Sequence, residues 1–141
     1  MSKRTLMGFD YGRKRIGVAI GHELTATTQA LDTVAVRHNK PDWDHITRLL
    51  GEWKPDLLLI GLPMNMDGTE HDVSKAARRF ANQLNGRYQL PVELVDERLS
   101  SIEAEEMITD ARRNKRIKKN QAKRSLDQVA AEIIIRTWLS L

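Results

Sequence analysis

The spacing of apolar positions first changes near residue 41 of this chain, from a period of two to a period near 3.6. Residues 5–10 form a short apolar run that closes on Asp10. Residues 15–21 alternate, with Ile16, Val18 and Ile20 on one face and Gly17, Ala19 and Gly21 on the other. That is the signature of a strand. Tyr11, Gly12, Arg13 and Lys14 lie between the two runs and supply a hairpin turn. Residues 30–36 read as a third strand, so the chain opens as an antiparallel meander. Residues 41–53 then carry Trp43, Ile46, Leu49, Leu50 and Trp53 at helical spacing, with Pro41 near the first turn.

The second half alternates between element types. Residues 56–61 hold Leu57, Leu58, Leu59 and Ile60, a run suited to a parallel strand buried on both faces. Residues 61–68 read as a loop, 69–84 as a helix ending near Asn85 and Gly86, and 91–95 as a fifth strand. A helix over 100–110 opens on a capping box of Ser100 and Glu103. The last helix is expected over 125–139, with Ser125 and Gln128 as a second box. Three meandering strands and two strands joined by helical crossovers predict an α/β fold with a mixed five-stranded sheet. Right-handed crossovers put helices on its faces. A length of 141 residues suits one domain over residues 1–141.

Charge adds one feature to this picture. Residues 112–124 contain eight Lys or Arg and no acid. Outside that window 15 basic residues face 19 acidic ones, so an acidic body carries one cationic segment. Such a segment suits a polyanion, and a solvated loop is the plain alternative. The absence of cysteine excludes disulfides, thiol catalysis and thiolate metal sites, and suits a cytoplasmic protein. No apolar stretch has the length of a membrane span, and the N-terminus lacks the apolar core of a signal peptide. The four histidines show no metal-ligand spacing.

Three acids lie at element ends. Asp10 closes the first strand, Glu97 follows the fifth, and Asp127 falls in the first turn of the expected last helix. Each has a plain reading as a turn or helix-start acid favoured by the helix dipole. Brought together, they would form a cluster of hard oxygen donors for a divalent metal. Ala130 and Ala131 follow Asp127 and would let that helix approach the sheet closely, turning the carboxylate inward. The glycines at 8, 12, 17 and 21 leave room for a ligand or a close backbone. Asn65, Asp67 and Gly68 lie beyond the fourth strand, where ligands of α/β sheets commonly sit.

Four segments together resemble the YqgF family, also called RuvX. They are GFDYGRKRIGVAIG at the N-terminus, LIGLPMNMDGTE in the middle, VDERLSSIEAEE after the fifth strand and LDQVAAEIII near the end. They occur in the family's order and spacing, nearly end to end. The resemblance implies an RNase H-like fold and a nuclease that matures the 5′ end of pre-16S rRNA or resolves Holliday junctions. Carried over position by position, the family's acids are Asp10, Glu97 and Asp127, as catalytic residues and as ligands of one or two Mg2+ or Mn2+ ions. Many members have a further acid after the second strand, where this chain has Gly21 and His22.

Nucleic-acid contacts are expected from Arg13, Lys14, Arg15, Asn65, Arg98, Arg112, Arg113, Lys115 and Arg116. The expected partner is RNA, pre-16S rRNA or a pre-ribosomal particle, with branched DNA as the alternative and no membrane. Cleaving a junction symmetrically would require a two-fold dimer, whereas processing one RNA end would not. Two other readings share the fold. An actin-like ATPase also has an Asp-x-Gly hairpin, matching Asp10, Tyr11 and Gly12, but closes two such domains around its nucleotide. A non-catalytic RNA-binding assembly factor would keep the fold without the chemistry.

Overall fold

The computed structural model describes residues 3–63, 72–96 and 119–141, the side chains of 119–125 excepted. β1 (Thr5–Tyr11), β2 (Arg15–His22) and β3 (Thr27–Arg37) form the expected meander. β5 (Leu57–Leu62) and β6 (Val92–Asp96) add in parallel on the other side of β1. A sixth strand, β4 (Lys40–Pro41), pairs with the end of β3, giving the order β4-β3-β2-β1-β5-β6. Five strands were expected, because two residues carry no periodicity. Pro41 therefore lies in a strand and not in a helix.

The helix α1 (Trp43–Trp53) starts after Asp42, whose side chain accepts from the His45 N–H at 3.2 Å. It stops at Lys54, which turns left-handed (φ 47°) and returns its N–H to the Leu50 carbonyl. Pro55 follows and cannot continue the ladder. α2 (Asp72–Tyr88) runs through Asn85 and Gly86, where the sequence suggested a stop. Open space surrounds Gly86, so nothing in the packing forces a break there.

The last helix, α3 (Lys119–Leu139), starts six residues before the expected position. Ser125 is thus inside the helix and cannot be its cap. Within the helix the Ser125 N–H belongs to the ladder, so the expected capping box does not form, and the Gln128 amide donates to Thr33 Oγ at 3.1 Å. The same shift removes Asp127 from the first turn, so the helix dipole does not account for that acid. The helix expected over 100–110, with Ser100 and Glu103, lies outside the described residues, as does the loop carrying Asn65, Asp67 and Gly68.

Strand alternation splits the core in two. Met7, Phe9, Tyr11, Ile16, Val18, Ile20, Leu58, Ile60 and Leu62 face α1 and α2. Leu6, Ala19, Leu57, Leu59 and Val95 face α3, where they meet Ala131, Ile134 and Ile135. β1 and β5 are therefore buried on both faces, as the unbroken apolar run of β5 required. Burying each large aliphatic side chain contributes about 1.5–3 kcal/mol. On the α1–α2 side Phe80 gathers Phe9, Tyr11 and Trp43, with ring centroids 5.6, 5.1 and 5.7 Å away. That cluster holds the end of β1 and so fixes the start of the hairpin. Among the described residues, no helix is long and apolar enough to cross a membrane.

Candidate active site

The way α3 lies on the sheet sets one expected acid, Asp127, against the cross-strand partner of another, Asp10. Asp127, Ala131 and Ile135 recur every four residues and form one stripe of that helix. The stripe sits in a channel of glycines. A Cβ on Gly8 would come within 2.8 Å of the Ala131 carbonyl oxygen and 2.7 Å of Ile135 Cγ1. A Cβ on Gly21 would meet Ile135 Cγ2 at 2.7 Å. A Cβ on Gly17 would overlap the backbone carbonyl of Asp127 and lie 2.9 Å from its Cβ. The room left by these glycines is therefore filled by α3, with its backbone at Gly8 and Gly17 and with the Ile135 side chain at Gly8 and Gly21.

Gly17 is the cross-strand partner of Asp10. Directly opposite residues of antiparallel strands have Cα atoms about 4.5–5.5 Å apart and share a face. Asp10 therefore lies on the α3 side, at the C-terminal end of β1, beside the residue on which Asp127 is seated. Side contacts fix the roll of α3 about its axis. Gln128 bonds Thr33, Thr28 Oγ donates to Glu132 at 2.9 Å, and Arg136 donates to Thr28 at 3.0 Å. All three reach β3, so the helix cannot rotate Asp127 outward without breaking them.

The electrostatics of Asp127 follow from this seat. Its side chain is about a quarter exposed, and Arg15 Nε lies 2.7 Å from its Oδ2. Burial raises the carboxyl above the usual aspartate range, and the charge and hydrogen bond of Arg15 oppose the rise without cancelling it. Arg15 itself is more than half exposed. It was expected to hold phosphate, and its nearest partner here is a carboxylate.

The remaining expected residues divide by position. Lys14 is exposed in the hairpin turn. Arg13 points into a separate concavity shared with Lys75 and Arg79 of α2, two residues that the sequence had not singled out. Their only sequence signal is a pair of cations one helical turn apart. β6 is described as far as Asp96, which pairs with Leu62 of β5. Glu97 and Arg98 lie outside the described residues, as do Asn65, Arg112, Arg113, Lys115 and Arg116. Among the described residues no three acidic or histidine side chains come together as a metal site.

Comparison with known proteins gives consistent results. The RuvX family model, described as Holliday junction resolvase, matches residues 4–141. A protein of Aeromonas salmonicida (strain A449) named "Putative pre-16S rRNA nuclease" is 47% identical over 139 residues, covering 99% of this chain and 96% of its own. A protein of the same name from Nitrosococcus oceani is 47% identical over 137 residues, 97% of this chain and 87% of its own. Among solved structures, T. thermophilus RuvC in complex with a Holliday junction substrate superposes with a TM-score of 0.58. The two are 15% identical, over 94% of this chain and 91% of that one. The Fowlpox virus resolvase bound to Holliday junction DNA gives 0.59 at 13% identity, over 96% and 97% of the two chains. At such identities the likeness speaks to the fold, which is the RNase H-like one expected.

Proposed function

This chain belongs to the RuvX family, and from that premise we propose that it is a metal-dependent nuclease that processes the 5′ end of pre-16S rRNA. The observation that carries this reading is the seating of Asp127 on Gly17, beside Asp10. Asp10, Asp127 and Glu97, the residue that follows β6 in sequence, would hold one or two Mg2+ or Mn2+ ions. The donor set fits, because carboxylate oxygens suit hard divalent cations. A half-buried carboxylate that resists ionisation is also a favourable place for added positive charge. A bound ion supplies the charge that ionises water near neutral pH and neutralises the leaving 3′ oxygen.

The protein's own side chains supply position and charge. Arg15 keeps the Asp127 carboxylate oriented and offers its remaining N–H donors to a phosphate. Arg13, Lys14, Asn65, Arg98 and the basic residues Arg112, Arg113, Lys115 and Arg116 contact the backbone of the bound strand. The enzyme acts in the cytoplasm as one nuclease domain over residues 1–141. The choice of RNA rests on the names of the relatives at 47% identity.

Cleavage of a four-way DNA junction is the second reading, favoured by the family's own description. It requires a two-fold dimer, so that two sites cut symmetrically. Purified protein with Mg2+ or Mn2+ should be tested on a pre-16S rRNA fragment and on a four-way junction, with Asp10→Asn alongside. Cleavage of the RNA, lost in Asp10→Asn, supports the first reading. Cleavage of the junction alone transfers support to the second. No cleavage of either by the unmodified protein removes both.

A further inference from the structure

A concavity of about 360 Å³ opens on the opposite face of the sheet from Asp127. Asp72, Lys75, Ala76 and Arg79 of α2 form one wall. Their spacing of three and four residues makes them a single stripe of the helix. Arg13 enters from the β1–β2 turn and Asn39 from the β3–β4 turn, where its backbone is left-handed (φ 61°). Tyr11 forms the floor, buried against the Phe80 ring. Among the described residues, three cations thus line one hollow against a single carboxylate, Asp72.

The position of this hollow relative to the carboxylates follows from strand alternation. Neighbouring residues of a strand point to opposite faces. Asp10 lies on the α3 side, and Tyr11, the next residue, lies on the α1–α2 side. The two features therefore meet at one end of the sheet, one residue apart on β1. A polymer that crosses this end meets both, whereas a small ligand would meet only one. Lys75 and Arg79 are exposed and one turn apart, an arrangement of like charges that weakens an isolated helix. A bound anion relieves that repulsion. Arg13 and Arg79 each offer a planar fork of donors that matches a phosphate, and Lys75 adds a point charge.

We propose that this hollow is a second phosphate-binding site, which takes a phosphodiester of the bound nucleic-acid strand outside the cleavage position. The proposal rests on the reading above that the chain acts on nucleic acid. Lys75, Arg79 and Arg13 hold the phosphate, Asn39 supplies a neutral polar group, and Asp72 limits the affinity so that the strand can leave.

Binding of a fluorescently labelled single-stranded oligoribonucleotide tests this, measured by anisotropy in Mg2+ at several salt concentrations. Every protein carries Asp10→Asn, so that binding is read without cleavage. Adding Lys75→Ala and Arg79→Ala together should weaken binding several-fold. It should also lower the salt slope by roughly 0.7, because the two side chains hold the same single-strand phosphate. Asp72→Asn should tighten binding, an effect that damage to the fold would not produce. Melting temperatures of the proteins carrying the alanines should match that of the parent, because both side chains are exposed.

Unchanged affinity and slope in the double variant, with the parent binding normally, would overturn the second site and leave the nuclease reading standing. Uridine monophosphate, tested in parallel, separates a polymer site from a small-anion site. If the alanines abolish its binding but spare the oligonucleotide, the hollow serves a free nucleotide and the proposal fails. A parent protein that binds no oligonucleotide removes the nucleic-acid reading and this inference together.

Discussion

Gly17→Ala is the most direct test of how the carboxylates are brought together. The added methyl group would overlap the Asp127 carbonyl and stand 2.9 Å from Asp127 Cβ. Carbon atoms in contact prefer about 3.5–4.0 Å. The obstacle is helix backbone, which cannot turn aside as a side-chain end can, so α3 must lift locally by roughly 1 Å. Overpacking of this kind costs about 1–3 kcal/mol. Replacing glycine in a strand returns about 0.5–1 kcal/mol of backbone entropy. The net loss is then about 1–2 kcal/mol, or roughly 3–8 °C in melting temperature for a chain of this size. Activity should fall further, because a 1 Å misplacement of a catalytic group can cost about 100-fold. Circular dichroism melts and cleavage of a pre-16S rRNA fragment would measure the two effects at a temperature where the variant is fully folded. Gly86→Ala is the control. Open space surrounds that helical glycine, so the substitution should stabilise by about 0.4–1 kcal/mol and leave cleavage unchanged. A Gly17→Ala protein with the parent's melting temperature and activity would refute the seating of α3 and the site built on it.

Four further outcomes are expected. Asp10→Asn, Glu97→Gln and Asp127→Asn should each abolish cleavage in a Mg2+ assay without additive losses, since each removes part of one unit; wild-type activity in any of them excludes that residue. Mg2+ at millimolar concentration should raise the melting temperature, because it binds the native state; the shift should disappear in Asp10→Asn. For Asp127 the folded pKa lies above the unfolded value, so the native state holds the extra proton between the two. Its contribution to stability is full below the unfolded pKa of about 3.9 and is lost as pH rises through the folded pKa. Asp127→Asn should therefore be at least as stable as the parent at neutral pH, with the difference shrinking in acid; thermal melts across pH showing a gap that widens in acid would contradict this. Changing Arg112, Arg113, Lys115 and Arg116 together to Ala should weaken RNA binding and flatten its salt dependence by roughly 0.7–0.9 per lost phosphate contact. Unchanged affinity and slope would remove these residues from the interface.

The strands were legible because half-buried strands print their alternation directly. The assignment of Ile16, Val18 and Ile20 to one face and Gly17, Ala19 and Gly21 to the other matches the two cores. The run from Leu57 to Ile60 marked a strand buried on both faces for the same reason. The start of α3 was not legible. Residues 119–124 were assigned to a cationic segment by charge, yet they include Lys, Gln, Ala and Arg, all good helix formers. Helix propensity and mutual repulsion point in opposite directions there, and the sequence does not weigh them. Gly86 misled in a similar way, since a lone glycine in a helix costs only about 1 kcal/mol and does not end it. The two acids on described elements were singled out from their expected positions at element ends. Asp127 was expected in the first turn of the last helix, which its place inside α3 does not support, whereas the close approach expected from Ala130 and Ala131 is seen at Gly8 and Gly17. What seats Asp127 close to the sheet is the glycine beneath it, and a glycine in a sequence does not say whether a ligand or a helix will fill its space.

The close approach of the helix runs against stability and fits the proposed site. Glycine in a strand is destabilising by about 0.5–1 kcal/mol relative to alanine. Gly8, Gly17 and Gly21 therefore weaken β1 and β2 by roughly 1.5–3 kcal/mol between them. Apolar side chains at these positions would add buried area as well, at about 0.8 kcal/mol for each CH2. A sequence shaped for stability alone would fill the channel and let α3 ride higher, still covering Leu6, Leu57 and Leu59. What it would lose is the approach of the Asp127 backbone to the cross-strand partner of Asp10. The three glycines are also not equivalent. Those at 8 and 21 meet side-chain carbons of Ile135, which a smaller residue could relieve, although Gly8 also meets the Ala131 carbonyl. Gly17 meets the backbone of the acid itself, and no substitution on α3 can make room there. Its cost falls where the helix sets down a carboxylate whose pKa burial raises, and under the proposed function that is a place where the fold gives up stability for chemistry.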